Sequence, residues 1–176
     1  MSLIVTVGGH DSNSYVTLEE ATTYLTEYRL HATEWSAAPG GDLDREAALR
    51  WATVLIDSYF NFDGTINDQE QALRWPRYGA FDSDNRLIKQ TLIPQDIKNA
   101  TAELAYELIK RDRSEEPGLL GQGFREAKIG SLEVKLDDRA TPDMIPATVV
   151  ALLTDIATPN QAFNSKGDKA LRVNRG

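Results

Sequence analysis

The stretch Asp44-Arg45-Glu46-Ala47-Ala48-Leu49-Arg50-Trp51-Ala52-Thr53-Val54-Leu55-Ile56-Asp57-Ser58-Tyr59 decides the fold class. Within it Ala48, Trp51, Ala52, Leu55, Ile56 and Tyr59 recur at spacings of three and four, the period of one helix face. The pattern predicts an amphipathic helix from about Asp44 to Tyr59 that turns this stripe, Trp51 included, toward a core. Ala37-Ala38-Pro39-Gly40-Gly41 before it is a breaker-rich connection, and Asp42 or Asp44 is placed to cap the helix.

Moving outward, the same period recurs. Thr17-Leu18-Glu19-Glu20 has a Thr with a Glu three positions on, so each side chain can accept the other's free backbone N–H. Leu18, Ala21, Leu25 and Tyr28 follow on one stripe, widened by Tyr24, after a turn at Asp11–Ser14. Pro94 suits a first helical turn, and Ile97, Ala100, Thr101, Leu104, Ala105 and Leu108 carry that helix to about Arg111. Pro146 opens a shorter helix with Val149, Leu152, Leu153 and Ile156, and Pro159 lies beyond its end. Between these two helices the period changes to two. Ala127, Ile129, Leu132, Val134 and Leu136 alternate with polar residues about Gly130-Ser131, which predicts a β-hairpin at about 124–137. The expected fold is mainly α: a small bundle of about four helices with one hairpin in residues 1–158, and an extended basic C-terminal tail in 159–176.

Two regions escape this periodicity. Asn61 to Ile93 has neither helix nor strand period, yet contains Phe62, Leu73, Trp75, Tyr78 and Phe81, too apolar for simple disorder. Structured loops of this length are usually functional. In Trp75-Pro76-Arg77 the proline favours an extended Trp75, suited to lie as an anchor across a helix surface. The tail is polar, with Phe163, Leu171 and Val173 as its sizeable apolar residues, and Lys166, Lys169, Arg172 and Arg175 outweigh Asp168.

Composition narrows the function classes. The 176 residues are 41% hydrophobic and 26% charged, an ordinary globular balance, and no apolar run approaches the ~18 residues of a membrane span. With no basic and apolar leader at Met1–Gly9, a soluble cytosolic protein is expected. The absence of cysteine excludes disulfides and thiol chemistry. A net charge of −8 repels phosphate unless positive charge is segregated onto one patch.

No residue pattern points to catalysis, a metal or a cofactor. His10 and His31 lack metal-ligand spacing, Gly8-Gly9 lacks a phosphate-loop pattern, and the pairs Glu19-Glu20, Glu115-Glu116 and Asp137-Asp138 diverge as neighbours do. Asp82-Ser83-Asp84-Asn85 crowds oxygens but lacks the glycine and the distal glutamate of a calcium loop. Trp35, Trp51, Trp75, Tyr78 and Phe81, interleaved with Arg50, Arg74, Arg77 and Arg86, form the one constellation suited to nucleic acid: stacking platforms for single-stranded bases. Arg74, Trp75, Arg77 and Tyr78 are equally placed for a subunit contact.

Five blocks, in order and spacing, carry a family resemblance: Asn13–Ala21, Arg50–Asp57, Gln71–Arg77, Ile93–Ala105 and Arg125–Val134. They resemble the head-to-tail connector (adaptor) proteins of tailed bacteriophages, a family also labelled DnaT-like single-stranded DNA-binding proteins. The resemblance implies a non-enzymatic virion subunit assembled in the host cytoplasm. Copies of itself, twelve in such connectors, would form a ring at the neck, meeting the portal protein above and tail or neck proteins below. Double-stranded DNA would pass through an acidic channel without specific binding. On that reading Phe163, Lys166, Lys169, Leu171, Arg172, Val173 and Arg175 meet the portal, and Arg74, Trp75, Arg77 and Tyr78 meet a neighbouring subunit or the tail. The alternative is a single-stranded DNA-binding or helicase-loading factor.

Overall fold

A computed structural model describes residues 2–111 and 144–160, and the backbone of 126–129 and 132–135. It is mainly α. The helices are α1 (Leu18–Glu27), α2 (Thr33–Ser36), α3 (Asp42–Tyr59), α4 (Gln95–Lys110) and α5 (Ala147–Leu153). The turn at Gly130-Ser131, the loop that follows α4, and the seven tail residues assigned to a portal contact lie outside the described residues.

The Thr17 cap forms as expected. Its hydroxyl accepts the Glu20 N–H at 3.1 Å, and the Glu20 carboxylate accepts the Thr17 N–H at 3.0 Å. Lys98 on α4 reaches the same carboxylate at 2.5 Å, so the cap also ties α1 to α4. Asp42 and Asp44 do not cap α3. Gly41 takes that position with φ +60°, and the Asp44 carboxylate accepts the Gly40 N–H at 2.7 Å.

α4 is the centre of the bundle, packed against the four other helices of the described residues. Its sequence explains this: Ile97, Ala100, Thr101, Ala102, Leu104, Ala105, Tyr106 and Leu108 are buried nearly all round the helix. The charge it buries is paired. Glu103 accepts from Arg29 Nε at 2.8 Å and from the Tyr24 hydroxyl at 3.2 Å, and Arg29 lies 4.2 Å from the Tyr106 ring centroid. Burial raises the Glu103 pKa and the Arg29 guanidinium opposes the rise.

α3 is present, but its buried face is rotated by one residue from the expected stripe. Leu49, Ala52, Thr53, Leu55 and Ile56 face the core, and Trp51 is 43% exposed. The displacement turns on Thr53, whose hydroxyl donates to Leu49 O at 2.9 Å. A hydroxyl satisfied by its own helix can be buried at little cost, so a residue that reads as polar joins the core.

Six short strands complete the fold among the described residues. β1 (Phe60–Phe62) pairs antiparallel with β6 (Ala157–Pro159), joining the ends of α3 and α5. β6 thus reaches one residue beyond the expected end of the helical domain. β2 (Thr65–Ile66) pairs with β3 (Arg77–Tyr78), and β4 (Glu126–Ile129) pairs with β5 (Leu132–Lys135) in the register of the predicted hairpin.

Candidate nucleic-acid interface

The non-periodic segment 61–93 is held to α3 by one carboxylate. Asp57 accepts a hydrogen bond from the buried Tyr15 hydroxyl and another from the Arg74 N–H at 3.2 Å. Burial pushes both groups upward, Asp57 from its ordinary carboxyl value and Tyr15 well above that of a phenol. Next to this anchor Trp75 is 1% exposed and meets Phe62 edge-to-face at 6.1 Å. The expected anchoring role of Trp75 is therefore visible within the chain's own core, and its ring offers no face to a base or a second subunit.

Arg77 acts on the backbone. Its guanidinium donates to Asp63 O and Gly64 O, both at 2.7 Å, and to Arg74 O at 3.2 Å. These bonds close the turn between β1 and β2 and fix β3 beside β2, with Tyr78 opposite Thr65. Gly64 is required there. Its φ is +72°, and a Cβ would sit 2.4 Å from Tyr78 O.

Beyond β3 the chain makes a second tight reversal. Phe81 pairs with Leu87, and Ile88 N–H donates to Ala80 O at 2.9 Å. The intervening turn is organised by Asp82, whose carboxylate accepts from the N–H groups of Asp84 (3.1 Å) and Arg86 (2.8 Å). The Arg86 N–H is the main reason that the Asp82 carboxyl lies below its ordinary pKa. The crowded oxygens of Asp82–Asn85 thus serve a turn and a cation. Arg86 bridges Asp82 at 2.9 Å and Asp84 at 3.0 Å. Among the described residues no group of three or more His, Asp or Glu side chains could hold a metal ion.

The two reversals display an aromatic and cationic surface. Tyr78 is 62% exposed, Phe81 46% and Leu87 62%, while Ala80, between the first two in sequence, is fully buried. A cleft of about 300 Å³ opens beside them, lined by Tyr78, Leu87, Ile88, Lys89 and Gln90. Lys89 is exposed at its edge and makes no ion pair with the described residues. Residues 71–92 hold four cations against two carboxylates, a net +2 in a chain of net −8. This is the segregation of positive charge that an acidic chain needs to approach phosphate.

Of the nine aromatic and basic residues read as a stacking constellation, the structure leaves Tyr78, Phe81 and Arg86 exposed on the two successive reversals, with Arg77 bonded to the backbone of the first and the Arg74 N–H on Asp57. It separates the other four. Trp35 is fully buried on α2, donating Nε1–H to Thr22 at 3.1 Å. Trp75 is core, and Arg50 and Trp51 lie on α3. Lys89 and Leu87 also belong to this surface, although a lone lysine and a lone leucine carry no spacing signal in the sequence.

No curated protein and no solved structure matches the chain. A family model described as "Putative DnaT-like ssDNA binding protein" matches residues 1–176. That match overturns the head-to-tail connector reading and the partners it implied: the ring of copies, the portal and tail proteins, and the passive passage of double-stranded DNA. The blocks that carry that resemblance are made of scaffold residues. Thr17 and Glu20 cap a helix, Asp57 and Trp75 anchor the loop, and Ile97, Leu104 and Ala105 are core; such residues specify a fold and are silent about its use. By its match over the whole length, the chain belongs to the family of DnaT-like single-stranded DNA-binding proteins.

Proposed function

We propose that the chain binds single-stranded DNA on the surface built by Tyr78, Phe81, Leu87, Arg86 and Lys89, and that it does so without a catalytic step. The observation that carries this reading is the pair of exposed aromatic side chains, Tyr78 and Phe81, on hydrogen-bonded reversals inside the one net-basic stretch of the loop. Aromatic faces accept any base, whereas duplex DNA keeps its bases stacked on one another and presents mainly phosphates. Tyr78 and Phe81 supply the stacking, and Leu87 the apolar floor beside the cleft. Lys89 meets phosphate. Arg86 can join it, because its exposed pairs with Asp82 and Asp84 are worth little and exchange readily for a phosphate. Family membership supports the same ligand.

Anisotropy titration of a labelled oligothymidylate and of a duplex of equal length tests the proposal. The single strand is expected to bind in the micromolar range and more tightly than the duplex. Tyr78→Ala and Phe81→Ala each remove a stacking contact worth about 1–3 kcal/mol, a loss of roughly 5- to 150-fold. Both side chains are substantially exposed, so folding stability should move by less than about 1 kcal/mol. Unchanged affinity in both variants, or tighter binding of the duplex, would refute the proposal.

A further inference from the structure

The face of α3 that the rotated core leaves outside is itself apolar. Leu43 (76% exposed), Ala47, Trp51 (43%) and Val54 (48%) follow one another at spacings of three and four, opposite the buried face of Leu49, Ala52, Thr53 and Ile56. A helix covered on one side only carries polar residues on the other; one that is apolar on both faces is built to be covered twice. The stripe is about 17 Å long at 1.5 Å per residue. It borders a groove of about 360 Å³ walled by Pro39, Ala48, Leu108 and Ile109.

We propose that a second copy of this chain covers the stripe, α3 packing antiparallel on α3 about a two-fold axis near residue 49. The charges beside the stripe select this occupant. Glu46 and Arg50 lie along one flank, one turn apart and 3.5 Å from each other within the chain. A two-fold axis across an antiparallel helix pair keeps both copies of that flank on the same side and reverses their order. Glu46 of each copy then comes opposite Arg50 of the other. The same operation sets Leu43 near Val54 of the second copy and the small Ala47 against its Trp51, so large and small side chains interdigitate. A closed pair of this kind uses the patch completely and leaves nothing to propagate.

Sedimentation velocity of the full chain over a dilution series tests the pairing. The wild type is expected at twice the chain mass at about 50 µM and to dissociate on dilution, as suits a small interface. Leu43→Asp and Val54→Asp are expected to abolish pairing. Both positions are exposed, and circular dichroism should show unchanged helix content. Glu46→Arg or Arg50→Glu alone places like charges across the axis and should weaken pairing at least about tenfold, whereas the double exchange restores it to within about threefold. A wild type that stays monomeric at every concentration would overturn the proposal. So would pairing indifferent to Val54→Asp, a double exchange that restores nothing, or cross-linking that seats residues 112–143 of the same chain on the stripe.

Discussion

Arg77 and Lys89 are both cations beside the exposed aromatics, yet the geometry gives them different work, and salt dependence separates them. The three bonds from the Arg77 guanidinium end on backbone carbonyls. A hydrogen bond to a charged donor is worth about 1.5–3 kcal/mol when the carbonyl would otherwise be stranded, but water reaches these carbonyls once the arginine is gone. Arg77→Ala should therefore cost about 1–2 kcal/mol in all, concentrated in the β2–β3 turn that presents Tyr78. Affinity falls by the fraction of chains whose turn remains formed, up to roughly tenfold for such a loss. The number of phosphates neutralised does not change. In anisotropy titrations from about 50 to 200 mM salt, the slope of log affinity against log salt should match the wild type for Arg77→Ala and become shallower by about 0.7 for Lys89→Ala. A slope for Arg77→Ala that drops by the same 0.7 would put its guanidinium on a phosphate and refute the backbone role.

Other outcomes follow from the fold. Thr17→Ala removes one half of the reciprocal cap and should lower stability by about 1 kcal/mol in urea denaturation, with the midpoint shifting and the slope unchanged. Trp75→Ala empties a fully packed site and should cost about 3–5 kcal/mol; a cost below about 1 kcal/mol would mean that the loop does not depend on this anchor. Asp57 gives a pH signature. Its folded pKa is raised from 3.8 by burial, so the folded chain holds that proton more tightly than the unfolded one. Its contribution to stability is full below about pH 4 and is lost as pH rises through the folded pKa. Asp57→Asn keeps an acceptor for Tyr15, loses one for Arg74 N–H and cannot ionise. Its stability relative to wild type should rise with pH above about 4 and then level; a difference flat across pH 4–8 would show that the carboxyl is not perturbed.

Four of the five described helices were legible because their signals are local, whereas α2, four residues long, is too short to carry a period. The reciprocal Thr17–Glu20 cap, Pro94 and Pro146 at helix starts, and the apolar period of α4 each depend on residues within a turn or two of one another. What the sequence hides is partnership at a distance. The buried face of α3 could be read in two rotations one residue apart, and the choice rests on whether the Thr53 hydroxyl finds Leu49 O, which the residue type alone does not state. β1 and β6 are three residues each and meet across 94 intervening positions, too short for a period and too far apart for a turn signal. The candidate interface was half legible. Tyr78, Phe81 and Arg86 were named from composition, but Arg77 looked like a ligand-binding cation and proved to hold backbone, and Trp75 looked like a contact surface and proved to be core. Side chains of one type serve scaffold or ligand according to which carbonyls lie in reach, and those are brought there by the chain's long-range packing.

Photocross-linking tests at the residue whether single-stranded DNA lies on the Tyr78–Phe81 surface. An oligothymidylate carrying 5-iodouracil, irradiated with the full chain and mapped by mass spectrometry of its peptides, should join to Tyr78 or Phe81, with the yield suppressed by unlabelled single strand more than by duplex. Cross-links confined to Trp51 or to residues 161–176, with 74–92 unmodified, would contradict it.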